Sequence, residues 1–455
     1  MDVTDPAALD AGELLAAYAA RQLNPLEALQ AVTERIARRN PEINAFAVMN
    51  PQALQAARES ARRWAWGEAK GALDGVPVTV KDLIDVAGLP TRRGSKVTDP
   101  APVAEDAPLV QRLKRAGAVL IGKTTTSEFG WKTPGDCPLH GITRNPWNVA
   151  HTPGGSSAGA AAAAAAFFGP LHVGTDAGGS VRIPAAWSGV VGVKPSFGRV
   201  PQWPLGAFGH VAVAGPMARS VRDAALMLSV LAGHDAADPF SLPDAPRDYL
   251  AGIEDGVAGL RIGVLMRPGF DAPLDADGMA ALEAARRGLE AQGARVSDLS
   301  VDLPDISDVF SKIWGVALAR GVAQVEAGRR GLMDPGLRFV AEQFGATPGV
   351  AVIEGEALRV QAAHAMAALD VDAILCPTVP HCAPLAEAKL DDPVTALWRH
   401  WAPWTFLFNL TRQPAVSIPV GVGAAGLPTA VQVAAPLYRD DVALRVARAV
   451  ERAVG

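Results

Sequence analysis

Gly75-Val76-Pro77-Val78-Thr79-Val80-Lys81-Asp82 decides how this chain is laid out. Its β-branched run over 76–80 reads as a short buried strand. A helical stretch at 109–116 then leads to a second apolar run, 118–121, closed by Gly122. Similar runs recur at 171–174, 260–265, 373–375, 415–420 and 430–434. Helical patterns such as 221–231, 277–292 and 349–369 lie between them. Strands alternating with helices predict an α/β layered sheet. Upstream the texture is helical, with stripes Leu9, Leu14, Leu15, Tyr18 and Leu26, Leu29, Val32, Ile36, and a start signal at Asn24-Pro25.

Composition narrows the class. The 455 residues are 49% apolar and 20% charged, a globular balance with ample chain for a core. Lys plus Arg number 42 against 47 Asp plus Glu, and this net charge of −5 argues against a nucleic-acid surface. Three cysteines, Cys137, Cys376 and Cys382, make no disulfide framework. The N-terminus lacks the basic start and apolar core of a signal peptide, so a cytoplasmic protein is expected. The charge-free run 145–175 is interrupted by Pro153, Gly154 and Gly155. Its continuous apolar piece, 160–168, would span only about 14 Å as a helix against a hydrocarbon core of ~30 Å, so no membrane partner is expected. The alanines of 160–166 suit helix formation, and they would also let a helix pack closely on the sheet.

Two glycine/serine clusters carry the candidate chemistry: 154–159 (Gly-Gly-Ser-Ser-Ala-Gly) and 174–184 (Gly-Thr-Asp-Ala-Gly-Gly-Ser-Val-Arg-Ile-Pro). The first fits a nucleophile elbow around Ser157, but the Pro-rich stretch before it cannot be the strand that motif needs. The second has the glycines of a phosphate loop without its lysine, which argues against a nucleotide cofactor. Cys376, His381 and Cys382 beside a Pro-rich turn read as core thiols, and no metal site is expected. Serine chemistry remains, and a serine needs a base. His151 is the histidine near a cluster. Lys81, at the end of an apolar strand, can serve if desolvation keeps it neutral.

Taken together and in order, 75–82, 153–157 and 174–185 resemble the amidase signature family. Ile121-Gly122-Lys123-Thr124, Asn145-Pro146-Trp147-Asn148 and 189–199 add to the match, which is strong over 73–231 and weaker at 376–378 and 414–419. Ala158 departs from the family, which usually has a glycine there. The resemblance implies an α/β/α sandwich around one large mixed, mostly parallel sheet. It implies a single domain over 1–455: N-terminal helices over 1–70, a catalytic core over 71–232, and further strands and pocket segments over 233–455. It also implies a Ser–cis-Ser–Lys triad, with Ser180 the nucleophile, Ser156 the bridging serine on a cis peptide after Gly155, and Lys81 the base. The amides of Ala177, Gly178, Gly179 and Ser180 would form the oxyanion hole, and Gly130 would line the pocket. Ser157, Asp176 and Arg182 would support these loops. No cofactor is implied. The expected activity is hydrolysis of a small-molecule amide, with carbamates and esters as variants, as in aryl acylamidase-like bacterial amidases. The alternative is the glutaminase component of a tRNA-dependent amidotransferase, its A subunit. A homodimer is left open.

Aromatic residues cluster before the C-terminal match: Trp398, Trp401, Trp404, Phe406 and Phe408. Three-residue spacing suits a buried helix face. Against that, Pro403 breaks the helix and Arg399 and His400 add polar groups. Such a broken aromatic segment could instead wall an apolar pocket, with Trp401 and Trp131 touching substrate.

Overall fold

The computed structural model describes residues 5–245, 247–388 and 401–454. Its strands are β1 (Phe46–Met49), β2 (Pro77–Lys81), β3 (Val119–Thr124), β4 (Asp136–Cys137), β5 (Gly141–Ile142), β6 (Leu171–Asp176), β7 (Val191–Lys194), β8 (Val213–Ala218), β9 (Arg261–Val264), β10 (Arg295–Asp298), β11 (Ala373–Pro377), β12 (Ala415–Val422) and β13 (Pro428–Ala434). Eleven of them make one mixed sheet in the order β1-β3-β2-β6-β8-β7-β12-β13-β11-β9-β10, and β4 pairs with β5 apart from it.

Parallel pairing occurs in two blocks, β3-β2-β6 and β11-β9-β10. The strands between them, and β1 at the edge, pair antiparallel. The expected parallel character therefore belongs to the blocks flanking an antiparallel centre. Period-two alternation sends neighbouring side chains to opposite faces. Leu120 joins the core built with helix Pro108–Arg115, while Val119 and Ile121 join the core under helix Pro25–Ile43. Helices thus cover both faces of the sheet.

The alanine tract forms helix Ala158–Ala165, with residues 158–164 all buried. A Cβ on Gly159 would meet the Ala45 carbonyl oxygen at 2.2 Å and the Thr125 amide nitrogen at 2.4 Å. Small side chains let this helix lie almost on the backbone beneath it, which fixes the Ser156–Ser157 turn at its start.

Candidate active site

β2 and β6 run parallel, so their C-terminal ends open at the same edge of the sheet, the usual place for ligands in α/β folds. Lys81 is the last residue of β2, and Thr175 and Asp176 end β6. Lys81 is fully buried. Its Nζ lies 2.7 Å from Ser156 Oγ, 2.9 Å from Ser157 Oγ and 2.9 Å from Thr175 Oγ1. Burial pushes its pKa well below that of an ordinary lysine, and the more distant charge of Asp176 opposes the shift.

The hydroxyl of Ser157 donates its one proton to the Thr175 carbonyl at 3.2 Å, so toward Lys81 it accepts. In its neutral form Lys81 would give one N–H to Ser157 and the other to Thr175 Oγ1, with its lone pair then facing the hydroxyl of Ser156. The Gly155–Ser156 peptide is cis.

Ser156, Thr175, Ala177, Ser180 and Gly130 line one cavity of about 110 Å³. Gly130 has φ +76°, and a Cβ there would meet Ser156 Oγ at 3.2 Å, so glycine keeps the space beside that serine open. Asp176 holds the loop that carries Ser180. Its carboxylate accepts from Gly179 N–H at 2.8 Å and Val181 N–H at 3.2 Å, and pairs twice with Arg182 at 3.0 Å. Burial opposes its ionisation, yet the Arg182 guanidinium prevails and holds its pKa at about 2. The Gly179 amide, one of the four expected oxyanion donors, is thus bonded to Asp176 Oδ1. Ala177, Gly178 and Ser180 remain as candidates.

The aromatic segment is core, not cavity wall. Trp401 is 8% exposed and packs edge-on against Trp187 at 5.5 Å. Trp404 donates its indole N–H to the Met266 carbonyl at 3.1 Å, and Phe406 stacks on Phe310. Trp398 lies outside the described residues. Trp131 is also buried, its ring pressed against Gly336 and its carbonyl accepting from Trp314 Nε1 at 3.1 Å. Neither Trp131 nor Trp401 reaches the cavity, because each fills a gap between packed elements. Phe129, Phe208 and Trp314 line the cavity instead, with Asp85 and Arg93 among its polar residues. They come from distant parts of the chain with no shared spacing, and a nearby signal was the Pro- and Gly-rich run 201–209.

His151 bonds the Ala383 carbonyl at 2.7 Å rather than either serine. Cys137 and Cys376 are buried free thiols, and burial pushes both pKa values up. Among the described residues no group of three His, Cys, Asp or Glu is placed to hold a metal, and no helix is long and apolar enough to cross a membrane.

A family model described as Amidase matches residues 27–444. The chain is 36% identical to an acylamidase of Rhodococcus erythropolis, over 96% of this chain and 94% of that protein. It is 35% identical to the A subunit of the glutamyl-tRNA(Gln) amidotransferase of Anaeromyxobacter sp. (strain K), over 97% and 95%. A solved bacterial aryl acylamidase of the amidase signature family superposes with a TM-score of 0.90 at 27% identity, covering 98% of this chain and 96% of that one. The chain belongs to the amidase signature family, whose chemistry is amide hydrolysis.

Proposed function

We propose that the chain hydrolyses carboxylic amides through an acyl-enzyme on Ser180. The observation that carries this reading is a buried, neutral-leaning Lys81 within 2.7 Å of Ser156 Oγ, with Ser156 and Ser180 on one cavity wall. Ser180 Oγ attacks the amide carbon while its proton passes to Ser156, whose own proton moves to Lys81. The oxyanion takes hydrogen bonds from the Ala177, Gly178 and Ser180 amides. Each such donor is worth about 10²–10³ in rate. The proton then returns through Ser156 to the leaving nitrogen, the C–N bond breaks and the amine departs. Water repeats the addition on the ester and frees the acid and Ser180.

Linear amides with an apolar or aryl group suit the cavity, whose wall includes Phe129, Phe208 and Trp314. Carbamates and esters follow the same steps. The likeness to the glutaminase component of an amidotransferase supports a second reading, in which glutamine is the amide and the chain works within a complex.

A panel of acylated aniline, aryl ester, carbamate and glutamine, run on the purified chain, separates these readings. Hydrolysis of the anilide well above glutamine is expected, and a preference for glutamine overturns it. A fluorophosphonate should label Ser180 in a peptide map. A label on Ser156 or Ser157 rejects the assignment.

A further inference from the structure

We infer that Thr405 is a positioning residue for the oxyanion loop: its hydroxyl fixes the Gly178–Gly179 peptide and so aims the amides of Gly178 and Ser180. This role rests on the acyl-enzyme reading.

Thr405 opens the short helix Thr405–Leu410 and is fully buried. Its Oγ1 lies 2.7 Å from the Gly178 carbonyl oxygen and 3.2 Å from that of Ala402. The Ala402 carbonyl already accepts the backbone N–H of Thr405 at 3.1 Å. The single hydroxyl proton goes to the nearer acceptor, the Gly178 carbonyl. At the other end of the same peptide, Gly179 N–H donates to Asp176 Oδ1 at 2.8 Å. In a trans peptide the carbonyl and N–H point in opposite directions, so a partner at each end fixes the rotation of the plane. The neighbouring peptides carry the Gly178 and Ser180 amides, and their directions follow from that plane.

Two further contacts show that the helix is fitted to this loop. Gly179 sits at φ +132°, and a Cβ there would meet Thr405 Oγ1 at 2.5 Å, so the threonine occupies the space that glycine leaves. Asn409, one helical turn on from Thr405 and on the same face, donates to Asp176 O at 3.1 Å and to Asp176 Oδ1 at 2.9 Å. Its Oδ1 accepts from Arg182 Nη2 at 2.6 Å. The helix thus grips both halves of the loop, the carboxylate that takes one N–H and the carbonyl behind it. An oxyanion hole works only if its donors are aimed before the charge develops, and this grip supplies the aim.

The test compares Thr405→Val, which keeps the shape and removes the donor, with Thr405→Ser, which keeps the donor. With an acylated aniline, Thr405→Val should lower kcat by about 10-fold or more, less than the roughly 10²–10³ of a donor removed outright, because the amides stay and only their aim is lost. KM should stay within about twofold, and binding of a trifluoromethyl ketone should weaken in step with kcat/KM. Thr405→Ser should recover most of the rate, and the acid limb of the pH profile should be unchanged in both. Equal thermal midpoints for the two variants would exclude a folding effect. If their midpoints differ, the rate per fluorophosphonate-titrated site is compared instead. Wild-type kcat per site in Thr405→Val, beside an inactive Ser180→Ala, overturns the positioning role alone. Retained hydrolysis by Ser180→Ala overturns the acyl-enzyme reading itself.

Discussion

Ser157 Oγ stands 2.9 Å from Lys81 Nζ and spends its own proton on the Thr175 carbonyl, so it acts on the lysine purely as an acceptor. It thereby takes an N–H that would otherwise compete with the Ser156 hydroxyl for direction. The expected result for Ser157→Ala is a kcat about 5- to 10-fold lower, the equivalent of one net hydrogen bond of about 1 kcal/mol. Fluorophosphonate labelling of Ser180 should persist at a reduced rate. A loss as deep as that of Ser156→Ala would mean that Ser157 itself carries the proton.

The depressed pKa of Lys81 sets the sign of the pH response. Only the neutral amine accepts a proton, so kcat/KM should fall about tenfold per unit as pH drops below the folded-state value and stay flat above it. Lys81→Ala should lose about 10²–10⁴ in rate and lose that limb with it. The same group affects stability. Between the depressed value and the 10.5 of an ordinary lysine, the unfolded chain holds a proton that the folded one does not. Stability therefore rises with pH over that window, and wild type should gain on Lys81→Ala as pH increases. Parallel denaturation curves at several pH values test the second point. An acid limb surviving in Lys81→Ala would assign it to another group.

The strands around the chemistry were readable because local pattern and tertiary role agree there. The apolar run before Lys81 is β2, and the glycine-rich turns follow strands or open helices as their composition requires. β8 was not readable: it contains Gly215 and Pro216, which argue against a central strand. Its glycine is required because a Cβ would meet the Val193 carbonyl oxygen at 1.9 Å, a demand made by a neighbouring strand and invisible in spacing. The same limit hid the grip of Thr405 and Asn409, whose partners lie more than 200 residues away in sequence. The tryptophans at 401 and 404 advertised a pocket wall, but Pro403 between them only turns the chain into a buried helix start.

Gly159 carries a prediction about the scaffold. Its missing Cβ lets the alanine helix approach Ala45 and Thr125, whose backbone atoms cannot yield. Gly159→Ala should cost about 1–3 kcal/mol by overpacking, despite the better helix propensity of alanine. A lowered urea midpoint at unchanged slope would show it. A midpoint at or above wild type would mean that the helix shifts freely, and the Ser156 turn with it.

The last prediction concerns what the cavity accepts. The rings of Phe208 and Trp314 stack at 3.7 Å with 8° between their planes, and both line the cavity that holds Ser156 and Ser180. An aryl substituent on the substrate would extend this stack, burying apolar area worth about 25 cal/mol per Å². Phe208→Ala removes one ring of the pair without touching Lys81 or the glycine loop. It should raise KM for an acylated aniline by about tenfold or more, a loss of about 1.4 kcal/mol in binding. KM for acetamide, which has no ring to bury, should stay near wild type. Trp401→Phe supplies the contrast, since its ring packs on Trp187 outside the cavity. It should lower the thermal midpoint and leave the anilide-to-acetamide ratio alone. Equal losses on both substrates in Phe208→Ala would assign that ring to holding the loop in place rather than to selecting the substrate.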